Sequence, residues 1–249
     1  MTSKGRNKTL CLSKTQIEFY AKQALTLKER VSAEHVENKI IMQDTLRALD
    51  FLPDSCVDLM VVDPPYNLTK QFSGKAFKEM DSLSYQNWLD MWLSKVGRIL
   101  KDNASIYICS DWKTSIDIPQ IAGKYFILQN RISWEREKGR GAQKNWKNCL
   151  EDIWFYTKSS NYTFNLDAVK VMRPVIAPYK DETGKAKDWK VNEKGQKFRL
   201  TAPSNIWTDI SVPFAASSAV IPGNTQTAPF LFGSLLRILS VKQKGNKTI

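Results

Sequence analysis

At 249 residues, with 42% hydrophobic residues, the chain can bury the core of one α/β domain carrying an insertion, or of two small domains. Its 37 Lys and Arg against 25 Asp and Glu give a formal charge of +12 at pH 7, which suits a polyanionic partner without separating nucleic acid from an anionic membrane. No apolar run approaches a membrane span, the N-terminus is charged where a signal peptide needs an apolar core, and Cys11, Cys56, Cys109 and Cys149 are scattered away from the single His35, so the expectation is a cytoplasmic chain without a membrane anchor, disulfide framework or metal site.

Residues 1–12 are polar and basic and read as a loose arm. Ile17, Tyr20, Ala21, Leu25 and Leu27 recur near helical spacing, which predicts an amphipathic helix from Lys14 to about Glu37, capped by Ser13 or Thr15 and used for packing or oligomer contact. Lys39–Gln43 reads as a short strand, after which Asp44-Thr45 opens a helix closed by Phe51, Leu52 and Pro53. The run Val57–Val62 is apolar and β-branched at its end, as in a buried strand of a parallel sheet. Pro64 and Pro65 stop it, since neither can donate a ladder hydrogen bond, and they present Asp63 and Tyr66 on a stiff turn beyond the strand's carboxyl end, where open α/β sheets bind ligands.

Asn67–Lys75 is a polar loop that could close over this turn or be plain solvated surface. Ser84 is the expected cap of a helix bearing Trp88, Leu89, Trp92, Leu93, Val96, Ile99 and Leu100, a core-packing pattern. Lys101-Asp102-Asn103 turns the chain into a strand over Ala104–Cys109, and Asp111 follows at the same sheet edge as Asp63, equally suited to line a pocket or to cap the next helix, Lys113–Lys124, which Pro119 interrupts. Strands over Phe126–Trp134 and Asp152–Tyr156 flank a loop that interleaves Lys138, Arg140, Lys144 and Lys147 with glycines and Trp146, able to approach a phosphate backbone and offer an aromatic ring to a base. From Asn161 to about Phe214 periodicity fades and charge rises, with nine bases against four acids over residues 170–200, while residues 41–66 hold one base against five acids. Leu231–Ser240 has the composition of a further helix.

Asp63-Pro64-Pro65-Tyr66 resembles the catalytic tetrad of the DNA amino-methyltransferases, which methylate exocyclic N6 of adenine or N4 of cytosine. The resemblance implies that Asp63 and the Pro64 carbonyl accept the protons of a delocalised, weakly nucleophilic amine, and that Tyr66 stacks on a base flipped out of the duplex. An initial Asp favours adenine over cytosine. The implied donor is S-adenosylmethionine, with Asp44 near its adenine; the implied partners are duplex DNA, contacted by Lys70, Lys138, Arg140, Lys144 and Lys147, and a cognate restriction endonuclease as a functional counterpart.

The family's β-type order places the tetrad half first, then target recognition, then the donor-binding segment. Residues 1–38 form the arm and helix, 39–160 the catalytic half, 161–214 the target-recognition region, and 215–249 the start of the donor half, where Thr225-Gln226-Thr227-Ala228-Pro229 echoes the family's turn. The expected acidic-Pro-Phe-x-Gly-x-Gly loop does not follow, so the sequence reads as an incomplete Rossmann-like methyltransferase sheet, truncated at its C-terminus, with an incomplete donor site. Strands without their natural neighbours would favour instability or association, a homodimer included. The rivals are a non-catalytic DNA-binding remnant, a cytosine-N4 enzyme and, more weakly, an RNA methyltransferase.

Overall fold

The computed structural model describes residues 12–72, 75–135, 143–175, 180–185, 187–208 and 210. The first helix, α1 (Lys14–Gln23), opens as the sequence suggests: the Ser13 hydroxyl accepts the Gln16 N–H, and the Gln16 side chain accepts the Ser13 N–H. It ends far short of Glu37 because Leu25 leaves it. The Leu25 N–H bonds to the Ile40 carbonyl and its own carbonyl takes the Met42 N–H, so the strand expected over Lys39–Gln43 is one parallel bridge between Leu25 and Ile41. Two short helices follow, α2 (Ala33–Val36) and α3 (Thr45–Phe51), the latter capped by Asp44.

β1 (Val57–Val62) is where the sequence places it. The segment expected to be a plain loop holds a hairpin, β2 (Lys70–Phe72) against β3 (Lys75–Phe77). The long helix α4 (Ser82–Ile99) starts two residues before Ser84, because Asp81 is its cap: the Asp81 carboxylate accepts both the Ser84 N–H and the Ser84 hydroxyl. No turn separates α4 from β4 (Leu100–Ser110), which runs straight on from the helix. The helix expected over Lys113–Lys124 splits at Asp117 into a 3-10 turn, Thr114–Ile116, and α5 (Ile118–Ala122), with Pro119 in the first turn of α5, where its missing N–H costs nothing. β5 (Ile127–Glu135) and β6 (Leu150–Thr157) form a broad antiparallel pair.

The expected irregular region holds β7 (Val171–Pro174), β8 (Lys190–Val191) and β9 (Lys197–Thr201), a three-stranded antiparallel sheet in the order β7-β9-β8. Its alternation sets Arg173, Lys197 and Arg199 against weakly apolar residues such as Met172 and Leu200, both of them exposed, so it does not stand out as surface against core. The last described strand, β10 (Ile206–Trp207), returns to the main sheet beside β5.

That main sheet is mixed α/β in character, ordered β1-β4-β6-β5-β10, with β6 antiparallel to both its neighbours and β1 parallel to β4. One face is covered by α3, α4 and α5 around Tyr85, Leu89, Leu93, Val96, Ile106 and Tyr156. The other carries Tyr107, Cys109, Ile132, Trp134, Ile153, Phe155 and Trp207, with Tyr107 and Phe155 stacked at 4.6 Å. β1 lies at the edge of the described sheet, so five of its six residues are half-buried and Asp58 is exposed, where a buried strand of a parallel sheet was expected. No helix among the described residues is long and apolar enough to cross a membrane.

Leu93 is fully buried and Leu83, on the same helix, is 67% exposed. Leu93→Ala should cost about 2–5 kcal/mol of stability in urea-induced unfolding, whereas Leu83→Ala should stay within about 0.5 kcal/mol of the parent.

Candidate active site

The turn after β1 has few hydrogen bonds of its own to make, since Pro64 and Pro65 bring no N–H. Side chains from elsewhere hold it. The hydroxyl of Tyr85, a fully buried residue of α4, donates to the Pro65 carbonyl at 3.0 Å. The Asn67 N–H donates to Thr114 Oγ1 at 3.2 Å, and the Asn67 side chain clasps the Met80 backbone with two 2.8 Å bonds, one to its carbonyl and one from its N–H. Pro64 is buried, and Asp63 and Tyr66 are partly exposed.

The parallel register that sets Val62 beside Ile108 brings Asp63 to the level of Cys109 on β4. β6 begins at this same sheet edge, and there the structure supplies a residue that sequence reasoning missed. Glu151, only 3% exposed, lies with Oε2 3.4 Å from the Tyr66 hydroxyl. Its one signal in the sequence is an acid pair, Glu151-Asp152, opening an otherwise apolar strand. Asp152 serves the framework, since it accepts the hydroxyls of Ser115 and Ser133 and ties β5 and β6 to the 3-10 turn beneath the site.

Burial pushes the Tyr66 phenol far above its ordinary range, and the charges of Glu151 and Asp63 add to the effect, as does a hydrogen bond to Asp63. The Cys109 thiol is likewise driven up by burial first, then by Asp63 and Glu151. The site is thus a phenol and a thiol, both held protonated, between two carboxylates.

The other residues singled out by sequence have varied placements. Asp44 Oδ1 accepts the Arg47 N–H at 3.1 Å, the N-cap role. Asp111 is 8% exposed and accepts the Thr114 N–H at 2.8 Å, which makes it a cap beneath the turn. Lys144 and Lys147 are exposed, and Trp146 is 93% exposed. Lys70 opens β2, while its side chain, together with Lys138, Arg140 and residues 215–249, lies outside the described residues. No metal-binding cluster occurs among the described residues.

A concavity of about 230 Å³, lined by Asn67, Met80, Ser82, Thr114 and Asp117, borders the turn. On the small sheet, Arg173 and Arg199 sit directly opposite each other across β7 and β9, and Lys197 on the same face lies 5.0 Å from the Trp189 ring. Cations paired across strands beside a half-buried aromatic residue are what a phosphate backbone would offset.

Comparison with known proteins places this geometry in context. Residues 57–244 match the model of the DNA methylase family that groups N6 and N4 methyltransferases. The chain is 31% identical over 175 residues to the DNA adenine methyltransferase YhdJ of Escherichia coli (strain K12), covering 68% of this chain and 56% of that protein. It is 28% identical over 180 residues to the type II methyltransferase M.HpaI of Haemophilus parainfluenzae, covering 69% and 50%. Among solved structures, the cytosine-N4-specific PvuII DNA methyltransferase is similar at 13% identity and a TM-score of 0.45, over 83% of this chain and 64% of that one. The chain spans about half the length of the curated relatives it matches.

The protonated thiol and phenol make a testable demand on stability. A group whose folded value lies above its unfolded one contributes stability at low pH that is lost as pH rises past the unfolded value. Stability should therefore fall as the pH climbs past 9.0 and 10.0, the ordinary thiol and phenol values. Thermal melts from about pH 8 to about pH 11 should show the midpoint dropping, and Cys109→Ala should flatten part of that drop.

Proposed function

The chain belongs to the DNA methylase family of N6 and N4 amino-methyltransferases, and from that premise we propose that it transfers a methyl group from S-adenosylmethionine to N6 of adenine in duplex DNA, as the modification partner of a restriction endonuclease. The observation that carries the reading is the Asp63–Tyr66 turn, pinned by Tyr85, Asn67 and Thr114 at the carboxyl edge of β1.

S-adenosylmethionine, when bound, supplies an electrophilic methyl group on a cationic sulfur. The described residues fit such a group at its reactive end, since Asp63 and Glu151 place two carboxylates around Tyr66 where positive charge would be welcome. Asp63 would help hold the group at its reactive end, and Asp44, whose cap uses Oδ1, would keep Oδ2 for the adenosine portion.

The chain's own residues make a poor nucleophile competent. Asp63 accepts one hydrogen of the exocyclic amine and the Pro64 carbonyl the other, which localises the nitrogen lone pair toward the donor. The hydroxyl of Tyr85 fixes the Pro65 carbonyl, one peptide beyond the Pro64 carbonyl, and so limits how far the turn that aims the latter can move. The Tyr66 ring provides the flat partner for a flipped base, whose stacking is worth about 1–3 kcal/mol. On transfer of the methyl group to the amine nitrogen, Asp63 would take up the amine proton. Arg173, Lys197 and Arg199 would meet the phosphates, along with Lys70, Lys138, Arg140, Lys144 and Lys147.

Adenine is favoured over cytosine because the tetrad opens with Asp63. The decisive assay mixes the chain with tritiated-methyl S-adenosylmethionine and unmethylated genomic DNA, a substrate that presents every short recognition sequence, and then separates the modified nucleosides. Tritium should appear in N6-methyladenine, and Asp63→Ala should lower the rate by at least about 100-fold, the scale of losing one preorganised polar contact. Label in N4-methylcytosine would move the substrate to cytosine. Transfer equal to that of Asp63→Ala, with DNA retained in a gel-shift assay, would make the chain a binding protein.

A further inference from the structure

Glu151 is a buried carboxylate that, beyond its charge, has no part in the methyl transfer described above. It sits at the start of β6, opposite Trp134 of β5, and is 3% exposed, whereas Asp63 is open to water in part. The Tyr66 hydroxyl lies 3.4 Å from Glu151 Oε2, and the Asp63 charge bears on the same phenol from the turn itself, so one phenol faces two carboxylates.

A phenol has a single proton to donate. Given to Asp63, it occupies a lone pair and damps the negative charge on the group that must accept the amine hydrogen. Given to Glu151, it leaves Asp63 with its full acceptor strength. The asymmetry in hydration favours the second arrangement. Water can solvate Asp63, while a carboxylate that is almost wholly buried gains the most from a protein donor and loses the most without one. The 3.4 Å separation is long for an O–H···O contact, which leaves room for it to shorten when a base enters.

We propose that Glu151 is a positioning residue of the methyltransferase site, drawing the Tyr66 phenolic proton away from Asp63 so that the Asp63 carboxylate is left to the substrate amine, and fixing the plane of the Tyr66 ring across the pocket. The assignment rests on the methyltransferase reading for its purpose, but not for its geometry. It gives Tyr66 a second duty beside stacking. It also explains why β6 opens with two acids of different use: Asp152 braces serines beneath the sheet edge, and Glu151 points to the phenol.

Two measurements test it. The first needs no turnover. With 3-fluorotyrosine placed at position 66 of the full chain, the fluorine resonance should move on Glu151→Gln, which keeps an acceptor but removes its charge, and should stay nearly still on Asp63→Asn. The opposite pattern, with Asp63→Asn moving the resonance and Glu151→Gln not, would overturn the assignment.

The second measurement is kinetic, in the tritium assay. Glu151→Ala should lower kcat by about 10- to 100-fold, the worth of a hydrogen bond to a charged group, with KM for DNA changed by less than about threefold. Adding Tyr66→Phe should bring the double variant back to the level of Tyr66→Phe alone, because without the hydroxyl there is no proton to misdirect. A loss that persists in the Tyr66→Phe background, with the melting midpoint lowered equally in both, would show a merely structural role and sink the proposal. If the parent chain transfers no label while the fluorine pattern holds, the methyltransferase reading fails and the acceptor assignment stands. If label transfer depends on Asp63 while the fluorine pattern is reversed, only the Glu151 assignment fails.

Discussion

Two consecutive prolines cannot close a turn on themselves, and the rest of the site follows from that constraint. Pro64 and Pro65 bring carbonyls but no N–H groups, so the chain between β1 and the β2–β3 hairpin has to be positioned by partners from other elements. Tyr85 reaches it from α4, Thr114 from the 3-10 turn after β4, and Met80 through the side chain of Asn67. Tyr85 is fixed in turn by the apolar face of the main sheet, where it stacks on Trp88 at 5.5 Å and packs among Leu89, Leu93 and Ile118. Accuracy at the turn is therefore inherited from helix packing. A core residue well away from Asp63 can alter the turn without touching it, because moving α4 moves the Tyr85 hydroxyl.

The parts of this arrangement that are local could be read from the sequence. β1 and its abrupt end, the helical spacing along α4 and the break near Pro119 each depend on a few neighbouring residues, and each is found in the structure. The misreadings have physical causes. Leu25 and Leu27 sit at helical spacing from Ile17 and Tyr20, but a backbone bridge to residues 40–42 removes them from the helix. Ser84 resembles a cap, yet Asp81 accepts its N–H and wins the position. The sheet of β7, β8 and β9 was not legible because its alternation is between charged and weakly apolar residues, such as Arg199 and Leu200 on successive positions, and not between polar surface and core. Glu151 lies 85 residues from Tyr66, and only the antiparallel insertion of β6 between β4 and β5 makes them neighbours.

β1 ties these two levels together. Within the described sheet it is bonded along one side only, to β4, and five of its six residues are half-buried, yet it carries the tetrad. What keeps its end in place is less its own ladder than the side-chain clasp around Asn67 and the hydroxyl beneath Pro65. Salt bridges add little there: Lys101 with Asp58 is solvent-exposed, and so is most of the group of Arg30 and Arg98 with Asp54, where water and salt screen the charges. The edge strand is positioned at its functional end by hydrogen bonds to neutral groups, which salt does not weaken.

Charge is divided in the opposite sense elsewhere. Around Tyr66 the chain concentrates carboxylates in a partly desolvated pocket, while the small sheet sets Arg173 directly across from Arg199. Like charges on facing positions destabilise a strand pair, and the acid near them, Asp188 at 3.6 Å from Arg199, is 59% exposed and offsets little. A sheet built this way gains most from a ligand that brings negative charge along a line, as a phosphate backbone does. The acids at the turn gain from the reverse, a cationic group. The two surfaces therefore favour different ligands, and binding would relieve the repulsion that each one carries. On the proposed function, affinity for both substrates would be drawn from electrostatic cost already present in the fold.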